Sequence, residues 1–167
     1  GEVTGERNVL CRIHSACVTG ELFGSLKCDC GQQLDAALES MQREGLGVLI
    51  YMSQEGRGIG LENKLKAYAL QAEGVDTVDA NRLLGLPDDT RSYESAVNEL
   101  QRLGVCGVRL LTNNPLKLQA VRSGGVACER ESHLMKVGPT ASAYVQTKQK
   151  RMGHMDAVDV CADLMVG

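Results

Sequence analysis

Apolar residues recur along this chain in two rhythms. Short, nearly unbroken runs at residues 8–13, 48–51, 108–111 and 125–128 predict strands, and those at 48–51 and 108–111 have the character of buried ones. Between them the spacing turns helical. Leu34, Ala37, Leu38 and Met41 follow Gly31 at intervals of three and four until Gly45 stops the pattern. Residues 61–72 continue in the same way, 77–85 predict a shorter helix, and Ala96, Val97, Leu100 and Leu103 mark another over 93–103. Asn114 followed by Pro115 has the form of a helix start, with the asparagine as cap and the proline in the first turn. From Ala141 onward the chain reads as mostly helical, while 14–29 and 86–92 read as polar loops. Strands alternating with helices predict an α/β fold, a mixed β-sheet flanked by helices. No repeat or low-complexity linker divides the chain, so residues 1–167 read as a single domain.

Composition narrows the function. Hydrophobic residues at 43% and charged residues at 23% describe an ordinary globular domain. No apolar run reaches the roughly 18 residues a membrane-spanning helix needs. With no Trp and a net charge of −3, neither a base-stacking platform nor a general nucleic-acid surface is expected. An anionic ligand would have to meet basic residues gathered locally. The 7 cysteines are odd in number and show no disulfide framework, which suits a reducing, cytoplasmic setting and metal or core roles. Cys11, Cys106, Cys128 and Cys161 lie in apolar stretches and read as small buried hydrophobes.

Cys17, Cys28 and Cys30 are different, because they sit in a polar segment without a fourth cysteine nearby. Structural zinc is closed by four protein ligands, whereas catalytic zinc keeps three and leaves a place for water. Three thiolates therefore point to a centre that activates water. The alternatives are three reduced core cysteines, or a structural site completed by His14. Three thiolates also donate much charge to a metal, so a compensating group nearby is expected.

Three further segments carry candidate chemistry. Gln54-Glu55-Gly56-Arg57-Gly58-Ile59-Gly60 directly follows a strand; its glycines allow close backbone approach to phosphate, and Arg57 adds a two-pronged donor. It lacks the Gly-Lys-Ser/Thr ending of a Walker loop, and Gly-Arg-Gly turns also occur in ordinary loops. Thr112 to Lys117 joins a strand end, a helix N-terminus and a lysine into an anion site, or else forms a well-capped helix with Lys117 in water. Asp89 and Arg91 pair a base with a phosphate clamp, or are solvated turn residues after Pro87. Tyr68, on a helix, reads by default as a core residue.

These residues coincide with the motifs of a known family. Arg12-Ile-His-Ser, Cys17-Val-Thr-Gly, Lys27-Cys-Asp-Cys-Gly, Gln54-Glu-Gly-Arg-Gly-Ile-Gly-Leu, Lys66-Ala-Tyr-Ala-Leu-Gln, Asp76-Thr-Val-Asp-Ala-Asn, Leu110-Leu-Thr-Asn-Asn-Pro, Thr147-Lys and Met152-Gly-His occur in order. Across residues 7–154 the chain resembles GTP cyclohydrolase II, the zinc enzyme that begins riboflavin synthesis. The resemblance implies hydrolysis of GTP with loss of formate and pyrophosphate. It implies a zinc ion on Cys17, Cys28 and Cys30, and a GTP site formed by Arg12, Ile13, His14, Ser15, Ala16, Gln33, Glu55, Gly56, Arg57, Thr77, Thr112 and Lys117. Asp89 is implied as proton acceptor, Arg91 as the group acting on the α-phosphate, and Tyr68 as an assistant at the base. Magnesium on the triphosphate and a homodimer are also implied.

The chain departs from the family pattern in three places. About 35 residues that usually precede the match are missing, which suggests a trimmed chain or a piece of a longer, bifunctional one. Ala16 stands where a glutamate is usual. Glu131-Ser-His-Leu-Met-Lys replaces a Val-Pro-Leu stretch, and the segment before Tyr144 is also altered.

Overall fold

A computed structural model describes residues 1–136 and 139–155. Four strands, β1 (Val9–Ser15), β2 (Gly47–Met52), β3 (Gly107–Leu111) and β4 (Ala127–Glu131), form one sheet in the order β2-β1-β3-β4. Every pairing among them is parallel, with Arg12 opposite Leu49 and Cys11 opposite both Val48 and Leu110. The mixed sheet expected from sequence is thus corrected to a parallel one. The physical reason is connectivity: each successive strand is reached through helices, and such crossovers return the chain in the same direction.

The helices follow the predicted rhythm closely. They are α1 (Val18–Glu21), α2 (Cys30–Glu44), α3 (Gly60–Ala72), α4 (Thr77–Leu83), α5 (Glu94–Arg102), α6 (Pro115–Ser123) and α7 (Pro139–Met152). The fourth strand begins two positions later than predicted, at Ala127, because Gly125 takes a left-handed conformation (φ 80°) that ends the preceding turn. The expected loop at 14–29 contains strand residues His14 and Ser15 and the one-turn α1.

Side chains alternate along the central strand, and that alternation makes both the core and the site. Val9, Cys11 and Ile13 face the main core, where they meet Val97, Leu100 and Val121 from α5 and α6. Each such large side chain contributes about 1.5–3 kcal/mol on burial. Leu10 points the other way, into a smaller cluster with Ala37 and Met41 of α2. Arg12 and His14 share the Leu10 face but lie beyond that cluster, toward the carboxyl end of the strand, and remain buried at 5% and 2% exposure.

Of the cysteines read as hydrophobes, Cys11 is fully buried and Cys128 half-buried. Cys106 is exposed, a correction: it ends the turn into β3, where its backbone N–H donates to Glu6 O while the side chain stays outside. Cys161, and the helical expectation beyond residue 155, lie outside the described residues. No helix among the described residues is long and apolar enough to cross a membrane.

Asn114 caps α6 as predicted, its Oδ1 accepting from Leu116 N at 3.0 Å. Asn114→Ala is expected to lower stability by about 1–2 kcal/mol, read as a reduced urea midpoint at constant m-value.

Candidate active site

The sheet order places β1 between β2 and β3, so the chain leaves β1 toward one side and later returns on the other. Ligands of parallel α/β sheets bind outside the carboxyl ends of strands at such a reversal. Two buried cations bridge that gap: Arg12 Nη1 donates to Leu111 O at 2.7 Å, and Lys117 Nζ donates to Ile13 O at 2.8 Å. Lys117 is 5% exposed, so the reading in which it points to water is corrected.

A cavity opens above this seam. Arg12, His14 and Ser15 line it from β1, Ala16 from just beyond that strand, and Glu55, Gly56 and Arg57 from the turn after β2. Thr112 follows the end of β3, Lys117 comes from α6, Gln33 and Thr77 from α2 and α4, and Tyr68 from α3. Tyr68 is therefore half-buried at a cavity wall and not a core residue. Ile13 faces the core, contributing only its carbonyl to Lys117. Val145, Gln149 and His154 reach the cavity from the C-terminal side, where Arg151 holds α7 against α4 through Asp76 (2.6 Å) and Asp79 (3.2 Å).

The lining is cationic. Among the described residues, Arg12, Arg57, Lys64, Arg91 and Lys117 face the cavity against the carboxylates of Asp29 and Glu55, although the chain as a whole carries −3. Burial pulls the Arg12 guanidinium down to about 10, which leaves it charged at neutral pH. His14 is held below its ordinary value by burial and by Arg12, against the opposing pull of Glu21. His133 is pulled down to about 4 by burial and Arg12. Both imidazoles are accordingly neutral, and the positive field comes from lysine and arginine. Ser15 Oγ and Gln54 Oε1 are buried at this cavity without a hydrogen-bond partner among the described residues, as expected of groups that await a polar ligand.

The turn after β2 is strained. Arg57 lies in the left-handed region (φ 63°) and is 8% exposed, a conformation rare for a long side chain and concentrated at functional sites. Gly58 explains what holds it: a Cβ there would sit 2.1 Å from Thr90 Oγ1. Only glycine lets the turn press onto Thr90, whose N–H donates to Arg57 O at 3.0 Å. That contact brings in the 86–92 loop. Asp89 and Arg91 form a tight pair there (2.5 Å between Oδ2 and Nη2), with side chains 16% and 12% exposed. Arg91 faces the cavity, while Asp89 sits behind it and does not line it.

Cys17, Cys28 and Cys30 converge beside the same cavity, their sulfurs all within 4.8 Å of one another. Cys17 and Cys28 Sγ are 3.7 Å apart. Two sulfurs on one tetrahedral zinc are separated by about 3.8 Å, given zinc–sulfur bonds of about 2.3 Å, so the spacing fits that metal. Gly20 permits the convergence, since a Cβ there would lie 2.7 Å from Cys28 Sγ. His14 does not complete the set: its Nε2 bonds Glu21 Oε1 at 2.8 Å, and its Nδ1 faces Arg12 Nη2 at 3.5 Å. Among the described residues, the group that could hold a metal is therefore the three cysteines.

Some site residues escaped the sequence reading. Lys64 lines the cavity with its side chain 11% exposed. Glu21 binds Cys17 N at 2.8 Å and Tyr51 OH at 2.6 Å. His133, within the altered 131–136 segment, is buried and donates from Nε2 to Gln33 O at 2.7 Å. For Lys64 a signal existed, because Lys64, Ala67, Tyr68 and Gln71 share one face of α3 at helical spacing and all line the cavity.

Comparison with known proteins gives the site its context. The profile of the family described as GTP cyclohydrolase II matches residues 1–132. The riboflavin biosynthesis protein RibBA of Bacillus mycoides (strain KBAB4) is 49% identical over 156 residues, covering 93% of this chain and 39% of its own length. The GTP cyclohydrolase-2 of Azospirillum brasilense is 51% identical over 154 residues, covering 92% of this chain and 40% of its own. The chain thus spans about two fifths of the length of these relatives. With a match this long and relatives this similar, the chain belongs to the GTP cyclohydrolase II family.

Proposed function

We propose that this chain is a hydrolase that opens the imidazole ring of GTP, releasing formate and pyrophosphate to leave 2,5-diamino-6-hydroxy-4-(5-phosphoribosylamino)pyrimidine at the start of riboflavin biosynthesis. One observation carries this reading: three converging cysteines stand at a cavity whose walls gather five cations. An anionic nucleotide and a hydrolytic metal would meet there.

Cys17, Cys28 and Cys30 would hold zinc, which when bound supplies Lewis acidity for hydrating an electron-poor ring carbon. The protein's own groups do the rest. Arg57, Arg91 and Lys117 receive the triphosphate, which enters with magnesium, and neutralise charge as pyrophosphate leaves. Arg12, His14, Ser15, Ala16, Gln33, Gly56, Thr77 and Thr112 surround the remainder of the nucleotide. Glu55 is different. Its carboxylate accepts from Val18 N (2.6 Å), Gly56 N (2.8 Å) and Lys64 Nζ (2.8 Å), so it shapes the turn more than it touches substrate. Tyr68 moves or holds a proton at the base. Asp89 accepts a proton once Arg91 swings its charge toward phosphate. The working unit is a homodimer in the cytoplasm.

Purified protein is expected to carry about one zinc per chain and to release formate from GTP with magnesium present. ATP and the other nucleoside triphosphates serve as a substrate panel. Zinc-free, folded protein that still releases formate contradicts the metal's role. Bound GTP with no formate at any metal loading reduces the chain to a nucleotide-binding module, and opening of a different base makes it a paralogue.

A further inference from the structure

Lys64 stands between the cysteine cluster and the glycine-rich turn. Its Nζ lies 3.1 Å from Cys17 Sγ and 2.8 Å from Glu55 Oε1, and it approaches the Tyr68 ring at 5.7 Å. The side chains of Lys64 and Glu55 are only 11% and 12% exposed, so this ion pair is shielded from solvent. Glu55 Oε2 in turn accepts from Val18 N, the residue after Cys17, at 2.6 Å. The carboxylate and the ammonium therefore fasten the turn that presents Arg57 to the segment that presents the first sulfur.

Charge gives this arrangement a purpose. Three thiolates on a divalent cation leave an excess negative charge, which dulls the metal and costs free energy beside a low-dielectric wall. A buried ammonium donating to one sulfur offsets that charge. Of the other cations at the cavity, Arg12 donates to Leu111 O and Gln33 Oε1, Lys117 to Ile13 O, and Arg91 to Asp89, whereas Lys64 donates to a sulfur of the cluster.

We propose that Lys64 is a positioning residue which, bridging Cys17 and Glu55, balances the charge of the three-cysteine centre and couples metal binding to the shape of the nucleotide-binding turn. The inference rests on the metal and nucleotide reading given above. Partners outside a metal's own ligands commonly control affinity by about 10- to 100-fold. Linkage makes the coupling reciprocal: if bound metal raises nucleotide affinity through this bridge, bound nucleotide raises metal affinity by the same factor.

The test measures zinc affinity by competition with a chromophoric chelator, and GTP affinity of the metal-free protein by calorimetry. Both are run on the parent chain, Lys64→Met, Lys64→Arg, Glu55→Gln and the Lys64→Met/Glu55→Gln double variant, with circular dichroism melts to confirm folding. Lys64→Met is expected to weaken zinc by about 10- to 100-fold and GTP by several-fold, and Lys64→Arg to recover most of both. The double variant is expected to be little worse than Lys64→Met, since the two residues act as one unit. A parent chain that binds zinc together with a Lys64→Met variant unchanged in zinc and GTP affinity overturns the proposal alone. Additive losses in the double variant overturn it as well. A folded parent chain that binds no zinc overturns the metal reading and this inference with it. Should Lys64→Met fail to fold, Glu55→Gln decides: unchanged affinities there are equally fatal.

Discussion

Cys28→Ser is expected to give folded protein without stoichiometric zinc, releasing formate from GTP on the order of 10³-fold more slowly than the parent chain. Folding should survive because none of the three clustered cysteines belongs to either hydrophobic cluster, and Cys28 is only half-buried. The thiols of the cluster act on one another: hydrogen bonds from Cys28 and Cys30, helped by Lys64, hold Cys17 below its ordinary value, while the hydrogen bond to Cys17 pushes Cys28 up. Cys11→Ser is the natural control. That thiol is fully buried, and burial pushes it up to about 12, so it is a protonated core group. Its serine variant should lose about 1–3 kcal/mol of stability, from an under-satisfied hydroxyl, while keeping its zinc. Zinc content by atomic emission and formate by coupled assay separate the two. Equal zinc loss in both variants would mean that metal retention follows stability and not ligation.

Arg91→Ala is expected to lower kcat/KM for GTP by about 10³, and Arg91→Lys by a smaller, roughly 10- to 100-fold, factor. The graded response follows from treating Arg91 as an electrostatic clamp. A guanidinium stays protonated at neutral pH and is a poor covalent nucleophile. In this fold it is also held at the cavity wall by Asp89, through Nε (2.9 Å) and Nη2 (2.5 Å). Lysine keeps the charge and loses the fork. Rapid quench with α-labelled GTP should show no nucleotide attached to the protein; an adduct at Arg91, with Arg91→Lys as inactive as Arg91→Ala, would establish covalent catalysis instead.

The same pair sets a pH expectation. Burial raises Asp89, but hydrogen bonds and charge from Arg91 outweigh it, and the carboxyl ends below its ordinary value. A lowered folded value means that its contribution to stability is complete above the ordinary carboxylate value of about 3.9 and is lost as pH falls through the lowered one. Between pH 5 and 8, Asp89→Asn should therefore shift stability by a constant amount, while turnover drops by about 10²–10⁴-fold. A stability difference that changes across that window would show that Asp89 titrates there, against this account.

Much of the architecture was legible because local physics wrote it. The apolar runs of β2 and β3, the helical spacing of Ala96, Val97 and Leu100, and the Asn114-Pro115 cap are decided by neighbours a few residues away. The cysteine cluster was legible for a related reason: Cys17, Cys28 and Cys30 lie in a polar segment, apart from the apolar stretches that hold Cys11 and Cys128. Sheet direction was not, since an apolar run is the same whichever way its neighbour points. Cys106 was misread because hydrophobic company in sequence does not fix the face a turn presents.

Residue types and their spacing were enough to predict an α/β domain with a cysteine cluster and a glycine-rich turn after its second strand. Folding alone decided which groups meet. Parallel pairing put the carboxyl ends of β1, β2 and β3 side by side, and so drew Arg12, Arg57 and Lys117 into one wall. Lys64, 47 residues along the chain from Cys17, reaches its sulfur only through the tertiary fold. Long-range contacts of this kind arise from burial and strand pairing between distant segments, forces that leave no local period for a sequence to display.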